Sequence, residues 1–442
     1  MVGRWGRVWC AVVAVVGVGC APLSAVAVPV VPVAVPVSSS ASVGDGRLAR
    51  ERAWWISGLG VDRSLVVSRG AGVTVCLVDS GVDVKHPDLV GVRIEAGTDT
   101  SEKGGTDGLK PTSDHGTSMA GFIAGLGSGP GRSEGVLGAA PEARVISVTS
   151  SASLGVTWSD SLTKAIRYCV GRGAKVINLS MTGGIDGHGK VAALVEAQEK
   201  DVVIVAGAGN DGDTDGGSWA RVFGVLQVGG VMADLQLDPK SNRGVARQPN
   251  GVLYGQGNGV CGPFSVRPGV PVIGPLPGGG YYASGGTSSA TAVVSGVVAA
   301  VRSKYPELSA GQVIRRVLAT AKRNGDGAVP DEKCGWGVVD AYAAVTADVP
   351  AGSKENPLGR LKAGATSDRF SFDTESMGEW DPSFKPDAPV APQKPPVTQY
   401  DKDKWFIWAA VALWGTAAAA VVAGGIGGVV WLRRRLRSRA GR

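Results

Sequence analysis

Three histidines in 442 residues leave imidazole chemistry three addresses: His86, His115 and His188. His115 lies in Asp114-His115-Gly116-Thr117-Ser118-Met119-Ala120-Gly121, at the start of a small-residue helical stretch. The positive end of a helix dipole disfavours an imidazolium. A neutral imidazole with a task, such as accepting a proton, suits that place better. His86, before Pro87-Asp88-Leu89, reads as a structural turn residue, and His188 as a solvated side chain in a Gly-rich loop.

Asp79 ends the apolar run Val75-Cys76-Leu77-Val78. Alone it could cap a helix or ligate a metal. Ser288, in Gly285-Gly286-Thr287-Ser288-Ser289-Ala290-Thr291-Ala292, falls in the first turn of a second helix. Backbone N–H groups there stabilise an alkoxide or oxyanion, although a Ser in that place is more often an ordinary cap. Asn210, in Gly207-Ala208-Gly209-Asn210-Asp211-Gly212, offers an amide donor, and Asn among glycines is also a common turn residue. Weak singly, the four signals gain weight together. Ser289 is excluded as the nucleophile because a helix turns it about 100° from Ser288.

Strands and helices must bring these residues together. Strand-like runs at 73–78, 144–149, 175–180, 202–206 and 225–230 alternate with helical stretches near 115–126, 158–172, 188–200, 287–304 and 309–321. Buried strands joined by helices predict a mostly parallel sheet in a three-layer α/β fold. In such folds ligand chemistry gathers at the carboxyl ends of the strands, where Asp79 and Asn210 fall.

The sequence DSGVD…HGTSMAG…AGAGN…GTSSA resembles, in family order, the subtilisin-like serine proteases, over about residues 50–346. Gly138-Ala139-Ala140-Pro141, Val176-Ile177-Asn178-Leu179-Ser180 and Gly335-Trp336-Gly337-Val338-Val339-Asp340-Ala341 extend the likeness. The resemblance implies Ser288 as nucleophile, His115 as general base, Asp79 as its orienting carboxylate and Asn210 as oxyanion donor. It implies that Ser180, Met181, Thr182 and Gly183 bind substrate backbone. No cofactor and no metal are expected. Two departures stand out: Ala292 replaces the family's usual Pro, and Thr182 stands where Gly usually admits the peptide, which suggests restricted cleavage.

Both ends of the chain read as membrane-related. Arg4 and Arg7, the apolar run Val8–Ala21 and Ala25-Val26-Ala27 form a secretory signal over residues 1–27. Residues 405–432 carry no charge; as a helix they would measure about 42 Å, more than the roughly 30 Å hydrocarbon core of a bilayer. Trp405, Trp408 and Trp431 lie near its ends, and six Arg follow in 433–442, so the positive-inside rule puts that tail in the cytoplasm. The remaining divisions are an extension at 28–46, a protease domain at 47–348 and a Pro-rich linker at 349–404.

The net charge of +7 comes from these ends: without their eight Arg, 37 bases face 38 acids. No basic groove for a nucleic acid is indicated. This layout resembles the mycosins, membrane-anchored subtilases of type VII secretion systems. That resemblance implies limited proteolysis of secreted proteins and a place in the secretion membrane complex. The competing reading is a non-catalytic subunit that stabilises that complex.

With the signal removed, Cys76, Cys169, Cys261 and Cys334 remain, allowing three pairings. Cys261 and Cys334, both in Gly-rich loops, are the preferred pair; Cys76 and Cys169 read as buried thiols. The loop 211–215 (Asp-Gly-Asp-Thr-Asp) reads as solvated rather than as a Ca²⁺ site.

Overall fold

The computed structural model describes residues 45–101, 104–150, 160–182, 188–214, 222–244, 257–265, 271–323, 329–361 and 378–379. The signal at 1–27, the membrane span at 405–432, Gly183 and most of the linker lie outside them. No helix among the described residues is long and apolar enough to cross a membrane.

Among the described residues eleven strands precede residue 284: β1 (Thr74–Asp79), β2 (Ile94–Asp99), β3 (Leu126–Ser128), β4 (Glu134–Leu137), β5 (Arg144–Thr149), β6 (Val176–Leu179), β7 (Val203–Gly207), β8 (Leu226–Val231), β9 (Val260–Pro263), β10 (Ile273–Leu276) and β11 (Gly280–Ala283). The helices are α1 (Gly46–Glu51), α2 (Trp54–Gly58), α3 (Val61–Val67), α4 (His115–Ala124), α5 (Ser161–Gly171), α6 (His188–Glu199), α7 (Thr287–Lys304), α8 (Ala310–Ala319) and α9 (Ala341–Thr346). All five expected helices and all five expected strands are present, with no end shifted by more than three residues.

Seven strands form one parallel sheet in the order β2-β5-β1-β6-β7-β8-β9. β-Branched residues suit its pleat, and β1, β6, β7 and β8 are buried throughout. Alternation divides their side chains between two cores. Val75, Leu77, Val176, Val203 and Val205 join α4 and α7 on one face. Cys76, Val78, Ile146, Ile177 and Ile204 join α5 and α6 on the other. α7 is apolar nearly all round and almost wholly buried, as a helix sandwiched inside a domain must be.

The chain leaves β1 toward β5 and β2, then crosses to β6 and continues the opposite way. A crevice therefore opens at the carboxyl ends of β1 and β6, the switch point where α/β sheets place ligands. Asp79 closes β1, and Ser180 follows β6 by one residue.

Three short helices absent from the sequence reading cover the α4 side of the domain. Trp55 packs edge-on to Phe122, ring centres 5.9 Å apart. Arg50 donates to the Gly135 and Glu134 carbonyls at 2.8 and 3.0 Å.

Cys261 and Cys334, the preferred pair, are bonded, with Cα atoms 5.1 Å apart, although Cys261 lies in β9 and not in a loop. Cys76 and Cys169 are not free thiols: they form a second disulfide, Cα atoms 5.7 Å apart. Alternation turns Cys76 to the face on which α5 packs, and Cys169 points from that helix into the same core.

Candidate active site

The His115 ring is held at one end by Asp79. Its Nδ1 lies 2.9 Å from both Oδ1 and Oδ2 of Asp79. Asp79 is 1% exposed, and its Oδ1 also accepts from the Ser80 N–H at 2.7 Å. A carboxylate held this way makes Nδ1 the protonated nitrogen and leaves Nε2 as the base. Burial lowers the affinity of His115 for a proton, but the charge of Asp79, its hydrogen bond and the charge of Asp114 outweigh that and raise its pKa above the ordinary value.

Local sequence makes the pairing possible. The Gly116 N–H donates to Ser80 Oγ at 2.9 Å, docking the first turn of α4 on the loop after β1. A Cβ on Gly116 would lie 2.3 Å from the Gly81 carbonyl oxygen and 3.1 Å from Asp79 Oδ1, so only glycine permits this approach.

Ser288 is half-buried in the first turn of α7. Gly286 precedes that helix at φ +128°, a conformation that side chains rarely adopt. Ser288 Oγ donates to the Ser180 carbonyl at 3.1 Å rather than to His115. Ser180 Oγ in turn lies 3.0 Å from the Ser288 carbonyl and 2.9 Å from Asn178 Oδ1. Ser289 is fully buried, its hydroxyl 2.9 Å from the Pro263 carbonyl and 2.8 Å from that of Gly286.

Asn210 is exposed just beyond β7. Its Oδ1 accepts from the Thr287 N–H at 2.9 Å and the Thr287 hydroxyl at 3.1 Å. An N–H can meet only the carbonyl oxygen of an amide, so Nδ2 is turned the other way, available to a developing oxyanion. Thr287 was not singled out from sequence, yet it fixes this orientation from the residue before Ser288.

Met181 is 9% exposed and Thr182 lies at the surface. A methyl placed on Gly209 would stand 3.1 Å from Thr182 Cγ2, so this side chain closes on the strand end that carries Asn210. Buried hydroxyls tie α4 to the segment before α7: Ser118 and Ser284 are 2.6 Å apart, and Ser284 reaches Tyr282 at 3.2 Å. The Tyr282 phenol is pushed up to about 12, chiefly by burial and further by the charges of Asp114 and Asp79.

His86 is structural. Its Nδ1 accepts from the Asp88 N–H at 3.1 Å and Nε2 donates to the Gly280 carbonyl at 3.0 Å, with Tyr281 edge-on. The side chain of His188 lies outside the described residues. Among the described residues no three His, Cys, Asp or Glu side chains converge on one point as metal ligands.

Comparison with known proteins identifies the family and the fold. The subtilase family model, Peptidase_S8, matches residues 70–337. Mycosin-1 of Mycobacterium tuberculosis is 30% identical over 357 residues, covering 69% of this chain and 75% of the relative. Subtilisin E of Bacillus subtilis is 33% identical over 262 residues, 58% of this chain and 62% of the relative. Among solved structures, MycP1 with its N-terminal propeptide removed superposes with a TM-score of 0.56 at 28% identity, covering 68% of this chain and 99% of that one. The MycP3 protease from the type VII (ESX-3) secretion system gives 0.51 at 31% identity, covering 66% and 88%. Catalytic-motif order, fold and family match agree: this chain belongs to the subtilase family of serine endopeptidases and is of the mycosin type.

Proposed function

We propose that the protein is a membrane-anchored endopeptidase that cuts secreted proteins at restricted sites through Asp79, His115 and Ser288. The observation that carries this reading is the Asp79–His115 pair, both carboxylate oxygens 2.9 Å from Nδ1, across the crevice mouth that also carries Ser288 and Asn210. A peptide laid along residues 180–183 presents its carbonyl to Ser288. The hydroxyl turns from the Ser180 carbonyl to His115 Nε2 and gives up its proton there. Oγ bonds to the carbonyl carbon, and Asn210 Nδ2 with the Ser288 N–H holds the oxyanion. The C–N bond breaks as His115 returns the proton to the leaving amine; water, activated by the same imidazole, releases the acyl group.

The mycosin likeness supports a partner in a type VII secretion complex, with substrates exported by it. The sequence pattern supports a removed signal at 1–27, an extension at 28–46, the protease at 47–348, a linker at 349–404, a membrane span at 405–432 and a cytoplasmic tail at 433–442. One observation favours the rival, structural role: the Ser288 hydroxyl is engaged with Ser180 rather than with His115. A fluorophosphonate probe decides between them. Labelling of the full chain that vanishes in Ser288→Ala supports the peptidase, and an unlabelled wild type supports the structural subunit. A secretion assay of Ser288→Ala against a deletion then weighs the two roles, and equal defects refute a separate structural one.

A further inference from the structure

One buried side chain organises the loop that carries Asn210. Asn242 is 5% exposed. Its Nδ2 donates to the Ala208 carbonyl at 3.2 Å, and its Oδ1 accepts from the N–H groups of Asp211 and Asp213 at 3.0 and 2.9 Å. Its own N–H donates to the Gly209 carbonyl at 3.0 Å. These bonds flank Asn210 on both sides without involving it. The two N–H donors fix which end of the Asn242 amide is oxygen, so every polar group of that side chain is committed to the loop.

Asn242 is itself anchored from behind. Its carbonyl accepts from Asn258 Nδ2 at 3.1 Å, and Asn258 also reaches the Lys333 carbonyl at 2.8 Å and receives Gln227 Nε2 at 2.9 Å. Lys333 precedes Cys334, which is bonded to Cys261. A chain of buried amides thus runs from the disulfide to the loop, while Thr287 holds the Asn210 amide from the opposite side.

We infer that Asn242 is a positioning residue for the oxyanion donor: it sets the backbone from which Asn210 Nδ2 is aimed. This rests on the reading of Asn210 given under Proposed function. An interaction that matters only where negative charge develops affects the chemical step and leaves ground-state binding alone. A residue that merely stabilises the fold has neither that signature nor a special relation to Asn210.

The test is the rate of phosphonylation of the full chain by a fluorophosphonate probe, resolved into its maximal rate and half-saturating concentration. Wild type, Ser288→Ala, Asn210→Ala, Asn242→Ala and the Asn210→Ala/Asn242→Ala double variant are compared, with thermal melts to establish folding. In Asn242→Ala the maximal rate should fall about tenfold or more while half-saturation stays within about twofold. The double variant should react no more slowly than Asn210→Ala alone, because the second change acts through a donor already removed. A wild-type rate in folded Asn242→Ala, or losses that multiply in the double variant, overturns the inference. If Asn242→Ala does not fold, Asn242→Ser, which keeps a hydroxyl for the loop N–H groups, is put through the same comparison. An unlabelled wild type overturns the peptidase reading and this inference with it, whereas labelling that needs Ser288 but ignores Asn242 overturns the inference alone.

Discussion

Ser180 and Ser288 are joined in both directions: the hydroxyl of 288 donates to the carbonyl of 180 at 3.1 Å, and the hydroxyl of 180 lies 3.0 Å from the carbonyl of 288. The segment expected to receive substrate and the residue expected to attack it are therefore one mechanical unit. Under the proposed mechanism, a peptide that occupies the Ser180 carbonyl would take the place of the Ser288 hydroxyl and free it to turn toward His115.

The neighbouring serines should separate cleanly. Ser288→Ala should abolish fluorophosphonate labelling while leaving the melting temperature close to wild type. Ser289→Ala should keep labelling and lose about 1 kcal/mol of stability, since its buried hydroxyl bonds to main-chain carbonyls alone. Labelling that survives Ser288→Ala and depends on Ser289 would falsify the assignment.

The acid limb of activity should be set by His115. Because its pKa is raised above the ordinary 6.5, the labelling rate should climb with pH through a midpoint higher than that value and then level off. In Asp79→Asn the main raising charge is gone and only that of Asp114 still opposes burial, so the midpoint should move down while the plateau drops about 10⁴-fold. The sign for stability is the reverse. A raised folded-state value means that protonated His115 favours the fold, fully so at low pH, with that contribution lost as pH rises through the shifted value. A midpoint below 6.5 in the wild type contradicts the geometry.

Gly116→Ala places a methyl 2.3 Å from the Gly81 carbonyl oxygen. The first turn of α4 must retreat and carry His115 away from Asp79. Labelling should slow by about a hundredfold even where the circular dichroism spectrum and the melt remain near wild type. An unchanged labelling rate would mean that the His115–Asp79 approach is not limiting.

Thiol counting tests the two disulfides. Under non-reducing conditions the folded protease domain should show no alkylatable thiol at Cys76, Cys169, Cys261 or Cys334. Replacing either pair with Ala should cost about 2–4 kcal/mol in denaturant titrations. Free thiols at Cys76 and Cys169 in active protein would remove the link between β1 and α5.

The central strands were readable because a parallel strand buried on both faces must be a continuous apolar run, as in Val75-Cys76-Leu77-Val78. β2 was missed because it lies at the sheet edge and, apart from Ile94 and Ala96, is polar or Gly, with no residue fully buried. β9 was missed because Val-Cys-Gly-Pro is too short and too rich in turn residues to stand out. The three N-terminal helices are each seven residues or shorter, below the length at which periodicity speaks. Asp79, His115, Asn210 and Ser288 stand out in the sequence because each sits in a distinctive small-residue setting. Asn242 sits in Lys240-Ser241-Asn242-Arg243, whose surroundings give no sign of its bonds; its importance appears only once the loop it holds is folded. The Cys76–Cys169 pairing was hidden for the same reason: strand alternation says which way Cys76 points, but not that α5 lies there.

The order of the sheet has a consequence for biosynthesis. Asp79 emerges from the ribosome early, whereas Ser288 and the helix that holds it come late, and α7 packs on a sheet face formed by the earlier strands β6, β7 and β8. Until that last piece arrives there is no cutting edge, only its unassembled parts.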